Sequence, residues 1–235
     1  MRQRKAKDME ARLVSLSDLL VADPSPDAWD AAFGSAADND APRDLYLEIG
    51  CGKGQFIIEK AIADPDSDYL AIEGQETVIL RALEKTRAAT GQPVINDKLA
   101  IAETEREIPN LKFACTFVEN MAELFRENQL SGIYLNFSDP WPKARHAKRR
   151  LTYRERLMDY AWALRDGGFI EIKTDNDGLF DFTLEEIEAV NLEIAEQTRD
   201  LHNSDFESKH FMTEYEEKFA ATGKNINYVK VIVRK

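Results

Sequence analysis

Apolar and polar positions alternate along the chain with two different periods, which predict strands and helices in turn. Short apolar runs are typical of buried strands, and they occur at residues 45–49, 69–73, 111–117, 132–136, 169–174, 192–200 and 227–233. Apolar residues spaced three or four positions apart are typical of amphipathic helices. Such segments occur at about residues 9–20, directly after residue 54, and at about 76–90, 157–164 and 179–190.

Strand and helix alternate at least four times with short connections, which predicts an α/β fold. We expect a Rossmann-like, doubly wound and mostly parallel sheet of about seven strands with an antiparallel C-terminal strand, and a turn at Gly167-Gly168. Residues 1–43 are predicted to form a basic extension, a short helix and a loop, and residues 44–235 the main domain. The ligand site of such a sheet lies at the carboxyl ends of the strands.

The composition narrows the class of protein further. With 235 residues, 43% hydrophobic and 31% charged, the chain is neither disordered nor collagen-like. No stretch approaches the roughly 18 apolar residues of a membrane helix, and we expect no signal peptide because the first apolar run is interrupted at Ser15 and Ser17. With two cysteines, Cys51 and Cys115, we expect a soluble protein of the reducing cytoplasm.

A glycine-rich turn follows the first predicted strand. Gly50, Gly52 and Gly54 let the backbone approach a ligand closely, but the turn lacks the Gly-Lys-Ser/Thr of phosphate-binding loops and the third glycine of a dinucleotide loop. Glu48 suits a cation better than a pyrophosphate, and Glu73 ends the second strand, where a carboxylate can bind both hydroxyls of a ribose. These features predict a site for S-adenosylmethionine; a turn that serves packing alone is the alternative.

Three polar or aromatic residues follow the third and fourth predicted strands. Asn120, beside Glu119, is placed to bind an adenine or is an ordinary loop amide. Asp139 and Trp141 lie in a segment whose two prolines restrict the backbone. An acid and an aromatic side chain here suit a base held beside the cofactor, although Trp141 could instead anchor the core.

Net charge and its distribution lead to opposite expectations about nucleic acid. A net charge of −12 and a pI near 4.9 would repel a phosphate backbone. Residues 140–156, however, contain seven Lys or Arg and one Glu. This concentrated basic segment predicts one binding site for an anionic partner, with a solvated charged loop as the alternative.

Five segments, at residues 47–56, 72–73, 136–152, 173–176 and 212–219, carry a resemblance to a known family. The block NFSDPWPKARHAKRRLT at residues 136–152 is the most specific of them. On these residues the chain resembles the bacterial tRNA (guanine-N7-)-methyltransferases from about residue 45 to its C-terminus. Residues 92–109 depart from the family because they form a longer stretch than usual, which leaves the register of Asn120 against Glu119 open.

The resemblance implies transfer of a methyl group from S-adenosylmethionine to N7 of a guanine in tRNA, in the variable loop. Together with the glycine turn, it predicts cofactor contacts from Glu48, Gly50, Gly52, Gly54, Glu73, Asn120 and Asp139. It predicts tRNA contacts from Lys143, Arg145, His146, Lys148, Arg149, Arg150, Asp175, Thr213, Glu214, Tyr215 and Glu216.

Guanine N7 carries a lone pair and no proton, so the reaction needs alignment rather than a strong base. Asp139 is our candidate catalytic residue, because a carboxylate stabilises the positive charge that develops on the guanine. We expect no metal, since His146 has no second ligand at a suitable spacing, and we expect Cys51 to pack under the cofactor.

Three other functions are compatible with parts of this pattern. An RNA-binding module with a decayed cofactor site would not need Glu48, the glycines and Glu73 together. A nicotinamide-dependent dehydrogenase would require a different glycine spacing. A methyltransferase for small molecules would have no use for the basic run at residues 145–150. The sequence leaves the choice between monomer and homodimer open.

Overall fold

The computed structural model describes residues 8–34, 43–90, 108–220 and 223–235. Its centre is a seven-stranded sheet with strand order β3-β2-β1-β4-β5-β7-β6. The strands are β1 (Leu45–Ile49), β2 (Asp68–Ile72), β3 (Leu111–Ala114), β4 (Leu130–Asn136), β5 (Leu164–Thr174), β6 (Glu193–Thr198) and β7 (Asn227–Ile232). Strands β1 to β5 pair in parallel, whereas β7 runs antiparallel to both β5 and β6. The predicted doubly wound sheet is therefore confirmed.

Helices cover both faces of this sheet. They are α1 (Met9–Val14), α2 (Pro26–Phe33), α3 (Gln55–Ala63), α4 (Glu76–Ala89), α5 (Met121–Leu124), α6 (Arg154–Ala163), α7 (Asp177–Ala189) and α8 (Glu214–Ala220). Neighbouring residues of a strand point to opposite faces, so Leu70 packs against the cluster containing α5, α6 and α7, and Tyr69 against the cluster containing α3 and α4. No helix among the described residues is long and apolar enough to cross a membrane.

The N-terminal segment differs from its prediction. The helix expected at residues 9–20 ends at Val14, and the loop expected after it contains α2. Pro26 begins α2 because its fixed φ suits the first helical position, and Ser25 caps the helix by accepting a hydrogen bond from the Ala28 amide at 3.3 Å. Trp29 buries its ring in the core, where Nε1 donates to a backbone oxygen at 2.7 Å.

Predictions for β5 and for the segment before β7 also need correction. The turn predicted at Gly167-Gly168 is wrong: both glycines lie within β5, where the register against β4 shifts and Gly167 has a φ of 75°. No helix was predicted at residues 214–220, where α8 lies. The basic residues 1–7 and residues 92–107 of the long stretch lie outside the described residues. The domain boundary at residue 43 stays a prediction.

Candidate active site

The candidate site lies at the carboxyl ends of β1, β2 and β4. The chain leaves β1 toward β2 on one side while β4 pairs on the other, and such a switch point opens a crevice. Two adjoining cavities of about 360 Å³ and 420 Å³ occupy it, and both are lined by Gly50, Asn136 and Phe137. The segment after β1 therefore lies between two compartments of one groove.

The three glycines of the turn have left-handed backbone conformations, with φ of 77° at Gly50, 57° at Gly52 and 81° at Gly54. A Cβ atom on Gly50 or Gly52 would meet nothing within 4 Å. A Cβ atom on Gly54 would lie 2.8 Å from the Cβ of Ala82 in α4. The first two glycines thus leave the groove open, and the third permits close packing of α3 against α4.

Glu48 is a buried carboxylate that faces the first cavity. Its Oε1 accepts a hydrogen bond from Asn136 Nδ2 at 2.8 Å, whereas Oε2 is buried and has no hydrogen-bond partner among the described residues. Burial raises the pKa of Glu48 to about 7, against the opposing effects of the Asn136 hydrogen bond and the charge of Lys173. An unpaired carboxylate oxygen in this position suits a cationic group of a ligand.

Glu73 forms part of the wall of the second cavity. Its Oε2 accepts a hydrogen bond from the Gly52 amide at 3.2 Å, and its Oε1 accepts one from the Gln75 amide at 3.0 Å. Burial raises its pKa, and the charge of Asp139 adds to this effect. The glycine turn thereby fixes the orientation of the carboxylate, and each oxygen keeps a further lone pair for ligand hydroxyls.

Glu119 and Asn120, whose register against the family was left open, have different surroundings after β3. Glu119 lines the second cavity, whereas Asn120 caps α5 by accepting a hydrogen bond from the Ala122 amide at 3.0 Å. Phe117, which the sequence analysis did not select, also lines this cavity and is 66% exposed. Its ring lies so close to Gly74 that a Cβ there would be 2.2 Å from it. An exposed ring at a cavity wall can stack on a flat base.

The loop after β4 carries Asp139 and Trp141 into the second cavity. Phe137 has a φ of 52° and Trp141 a φ of 39°, conformations that residues with a side chain rarely adopt. Asp139 itself is exposed between them. Such a strained loop persists where neighbouring groups hold it, and strain of this kind concentrates at functional sites.

The basic run lies beside this loop and includes a 3₁₀ helix, Ala144–Arg149. Lys143, Arg145 and Arg149 are exposed, with the Arg149 guanidinium 4.9 Å from the centre of the Trp141 ring. The His146 ring meets Trp141 edge to face at 5.7 Å. Lys148 is exposed but forms an ion pair with Glu155 at 3.0 Å.

Arg150 differs from the other cations of this run. It is half-buried, and its guanidinium donates hydrogen bonds to the carbonyl oxygens of Pro140 at 3.0 Å and Trp141 at 3.1 Å. The resemblance implies an RNA contact at this position, but the polar edge of Arg150 is directed at the protein's own backbone.

The segment containing α8 forms the wall of the first cavity that faces the glycine turn. Thr213, Glu214 and Tyr215 all line this cavity. Glu214 pairs with Lys53 at 3.0 Å and with Lys85, which attaches the start of α8 to the glycine turn and to α4. The hydroxyl of Thr213 caps α8 by accepting a hydrogen bond from the Glu216 amide at 3.0 Å.

Tyr215 connects α8 to the end of β5. Its hydroxyl donates a hydrogen bond to Asp175 Oδ2 at 3.2 Å, and the same oxygen pairs with Lys224 at 3.1 Å. The Tyr215 ring is 42% exposed and lies 5.1 Å from the ring of Phe137. The structure thus brings Tyr215 and Asp175, both predicted tRNA contacts, next to the loop that carries Asp139.

Glu216, also a predicted tRNA contact, does not share this exposed position in the structure. It is fully buried, with Oε1 2.9 Å from His202 Nε2 and Oε2 3.4 Å from Lys173 Nζ. Lys173 also donates hydrogen bonds to the backbone oxygens of Ser208 at 2.7 Å and Phe211 at 2.6 Å. Burial lowers the pKa of Lys173, whereas the charge of Glu216 raises it. This network joins β5 to α8 underneath the site.

No group of three His, Cys, Asp or Glu among the described residues is placed to hold a metal ion. Cys51 is buried beside the glycine turn and Cys115 is half-buried, and both thiols are free. Burial raises the pKa of the Cys51 thiol, which disfavours the thiolate form.

The chain is similar to known methyltransferases both in sequence and in fold. The model of a family described as "Putative methyltransferase" matches residues 42–229. The tRNA (guanine-N(7)-)-methyltransferase of Mesoplasma florum is 46% identical over 84% of this chain and 83% of its own length. The enzyme of the same name from Brevibacillus brevis is 40% identical over 86% and 84%.

Solved structures with a similar fold include the 16S rRNA methyltransferase KamB, with a TM-score of 0.60 and 11% identity over 90% of this chain and 95% of that one. An antibiotic-related methyltransferase has a TM-score of 0.59 and 17% identity over 90% and 94% of the two chains. At these identities the likeness concerns the fold.

Proposed function

The chain belongs to the methyltransferase family whose model it matches, and from that premise we propose that it methylates N7 of a guanine in tRNA, at the variable-loop guanosine. The observation that carries the proposal is a juxtaposition at the carboxyl ends of β1, β2 and β4. There, the groove that holds the carboxylates of Glu48 and Glu73 lies next to the strained loop that carries Asp139. The exposed basic residues at 143–149 follow that loop directly. The names of the two sequence relatives supply the choice of tRNA and of N7.

The groove has the donors and acceptors that S-adenosylmethionine requires. When bound, this cofactor supplies a methyl group activated by a positively charged sulfur. The buried, unpartnered Oε2 of Glu48 matches a cationic group of the cofactor, and Glu73 offers lone pairs for the ribose hydroxyls. Gly50 and Gly52 leave the space between them open. Glu119 and Phe117, rather than Asn120, form the wall suited to the adenine.

The residues around the loop after β4 orient the guanine. Because N7 carries a lone pair and no proton, the chain must align this atom and exclude competing poses rather than remove a proton. The guanine becomes positively charged as the new bond forms, and the Asp139 carboxylate stabilises that charge or accepts hydrogen bonds from the N1–H and amino edge. Asp175, at the end of β5, is the second acid able to serve that edge.

The exposed cations extend the site outward. Lys143, Arg145 and Arg149 are able to pair with backbone phosphates of the substrate, and His146 lies among them. The rest of the chain is strongly acidic, since the protein carries a net charge of −12 despite this run. Repulsion elsewhere on the surface therefore favours binding of tRNA in one orientation. We also place the enzyme in the cytoplasm, where tRNA and reduced cysteines are found.

Transfer of labelled methyl from S-adenosylmethionine to unmodified bulk tRNA, followed by nucleoside analysis, tests this proposal. We expect 7-methylguanosine in the digest, and sequencing of the modified tRNA should map it to the variable loop. Label in another nucleoside would overturn the acceptor assignment. Cofactor binding without incorporation into RNA would favour a small-molecule methyltransferase instead.

A further inference from the structure

Arg150 lies under the loop that carries Asp139 and Trp141. Its Nε donates to the Pro140 carbonyl at 3.0 Å, and its Nη2 donates to the Trp141 carbonyl at 3.1 Å. One edge of the guanidinium fork thus bridges two successive backbone oxygens, which matches the planar spacing of its donors. The guanidinium carbon also lies 4.1 Å from the centre of the Phe182 ring, so the cation packs against a side chain of α7.

The loop needs such an attachment. Phe137 and Trp141 both have left-handed backbone conformations, which are unfavourable for residues with a side chain. Backbone strain of this kind relaxes unless surrounding groups determine the conformation. The two hydrogen bonds from Arg150 are made to residues 140 and 141, at the strained end of the loop and directly after Asp139.

The other contacts of Arg150 also lie within the protein. Glu186 of α7 pairs with Arg154 at 2.8 Å, and hydrogen bonding from Arg154 is the main cause of its lowered pKa, to which the charge of Arg150 adds a smaller contribution. Arg145, in contrast, is exposed. Its Nε lies 3.4 Å from His146 Nε2, and it forms no ion pair with a carboxylate of the described residues. The two cations therefore share a basic sequence motif but have different surroundings.

We propose that Arg150 is a positioning residue for methyl transfer: its guanidinium fixes the strained 137–141 loop so that Asp139 lies at the cavity, and it does not serve as a phosphate contact. The proposal deepens the proposed function and rests on it. Arg150 acts through the loop backbone, so its contribution depends on the shape of the fork as well as on its charge.

A substitution that preserves the charge of Arg150 separates positioning of the loop from contact with a phosphate. Arg150→Lys keeps the positive charge but cannot donate two coplanar hydrogen bonds to neighbouring carbonyls. We expect kcat to fall about 10- to 100-fold, the scale of misplacing a reacting group by about 1 Å, with little change in KM for tRNA. Hydrogen–deuterium exchange of the 137–141 amides should become faster in this variant, and the salt dependence of tRNA binding should stay that of the wild type.

Arg145→Gln is the matched control. It removes an exposed charge of the same run, so it should mainly raise KM for tRNA and lower the slope of log K against log salt by about 0.7 to 0.9 for one lost phosphate contact. Arg150→Gln, measured in parallel, should reproduce the kcat loss of Arg150→Lys without this change of slope. If Arg150→Gln proves unstable, the lysine variant still provides the comparison.

Two results would overturn the proposal. Wild-type kcat and wild-type amide exchange in Arg150→Lys would remove the positioning role, and a salt slope lowered in Arg150→Gln as in Arg145→Gln would make Arg150 a phosphate contact. Failure of the proposed function gives a different result, since the wild-type protein would then leave tRNA unmethylated. Amide exchange of the 137–141 loop in Arg150→Lys would still report whether Arg150 holds it.

Discussion

Glu48 combines a binding role with a cost in stability, and the substitution Glu48→Gln separates the two. Burial raises the pKa of Glu48 from about 4.5 to about 7, so folding favours its protonated form. At a pH below 4.5 the carboxyl is neutral in both states and the folded protein carries no penalty. As the pH rises from 4.5 through 7, the unfolded chain gives up this proton before the folded state does, so the folded state loses stability over that range and reaches its full penalty once the buried carboxyl has ionised.

The pKa difference sets the size of this loss. A displacement from 4.5 to about 7, at 1.36 kcal/mol per pKa unit, corresponds to about 3 kcal/mol of unfolding free energy at pH 8. A glutamine at this position would avoid the penalty because it is neutral, and its side-chain oxygen could still accept the hydrogen bond from Asn136. We therefore expect the Glu48→Gln variant to be more stable than the wild type at pH 8 and to lose most of that advantage at pH 5.

Urea unfolding of both proteins at pH 5 and pH 8 measures this difference, and the comparison cancels the titration of all other groups. Calorimetric titration with S-adenosylmethionine should show the opposite effect on binding. Wild-type affinity should rise about tenfold from pH 6 to pH 8 as Glu48 ionises, and Glu48→Gln should bind weakly at both pH values. A stability difference that does not grow with pH would refute the buried-charge argument. Unchanged cofactor affinity in the variant would refute the role of Oε2.

Three further substitutions test other parts of the structure. Asp139→Asn should lower kcat at least ~100-fold, the scale of losing one preorganised polar contact, as measured by formation of 7-methylguanosine; wild-type turnover would remove Asp139 from the mechanism. Gly54→Ala should destabilise the fold by roughly 2–4 kcal/mol in urea melts. The backbone at this position has a φ of 81°, which is unfavourable for a residue with a side chain, and the new Cβ would lie 2.8 Å from the Ala82 Cβ in α4. Measured against Ala82→Gly alone, the same substitution should cost less, because the Ala82 Cβ that the new atom would meet at 2.8 Å is then absent; an equal loss would contradict the packing argument. Lys173→Met should cost about 3–5 kcal/mol by leaving Glu216 Oε2 buried without its charged partner, with only His202 still bonded to Oε1, and adding Glu216→Gln should restore part of the loss; no restoration would show that the two charges do not interact.

Sequence patterns predicted the parts of the site that depend on local order. Gly50, Gly52 and Gly54 were predicted to form a turn that lets the backbone approach a ligand, and all three adopt left-handed backbone directly after β1. The sequence placed Glu48 and Glu73 at neighbouring strand ends, and both line the groove. Such features are predictable because chain direction and strand order determine which ends of a parallel sheet meet.

Helices α2 and α8 show where local reading was insufficient. Pro26 is equally compatible with a loop and with the first position of a helix, and the burial of Trp29 against the core favours the helix. The start of α8 has a local signal that was not used, because Thr213 stands three residues before Glu216 and good helix formers follow. Its position depends on ion pairs from Glu214 to Lys53 and Lys85, which lie 161 and 129 residues away along the chain.

The sequence by itself determined the class of fold, the strand that bears the glycine turn and the location of a basic run in an acidic protein. Tertiary structure decided which charges remain available to a ligand. Arg145 and Arg150 are five residues apart, yet one faces solvent and the other holds a loop; Tyr215 and Glu216 are adjacent, yet one is exposed and the other is buried with Lys173. Residue type and spacing define which hydrogen bonds a side chain can make, but the partner is supplied by elements distant in sequence, and only the packed fold brings them together.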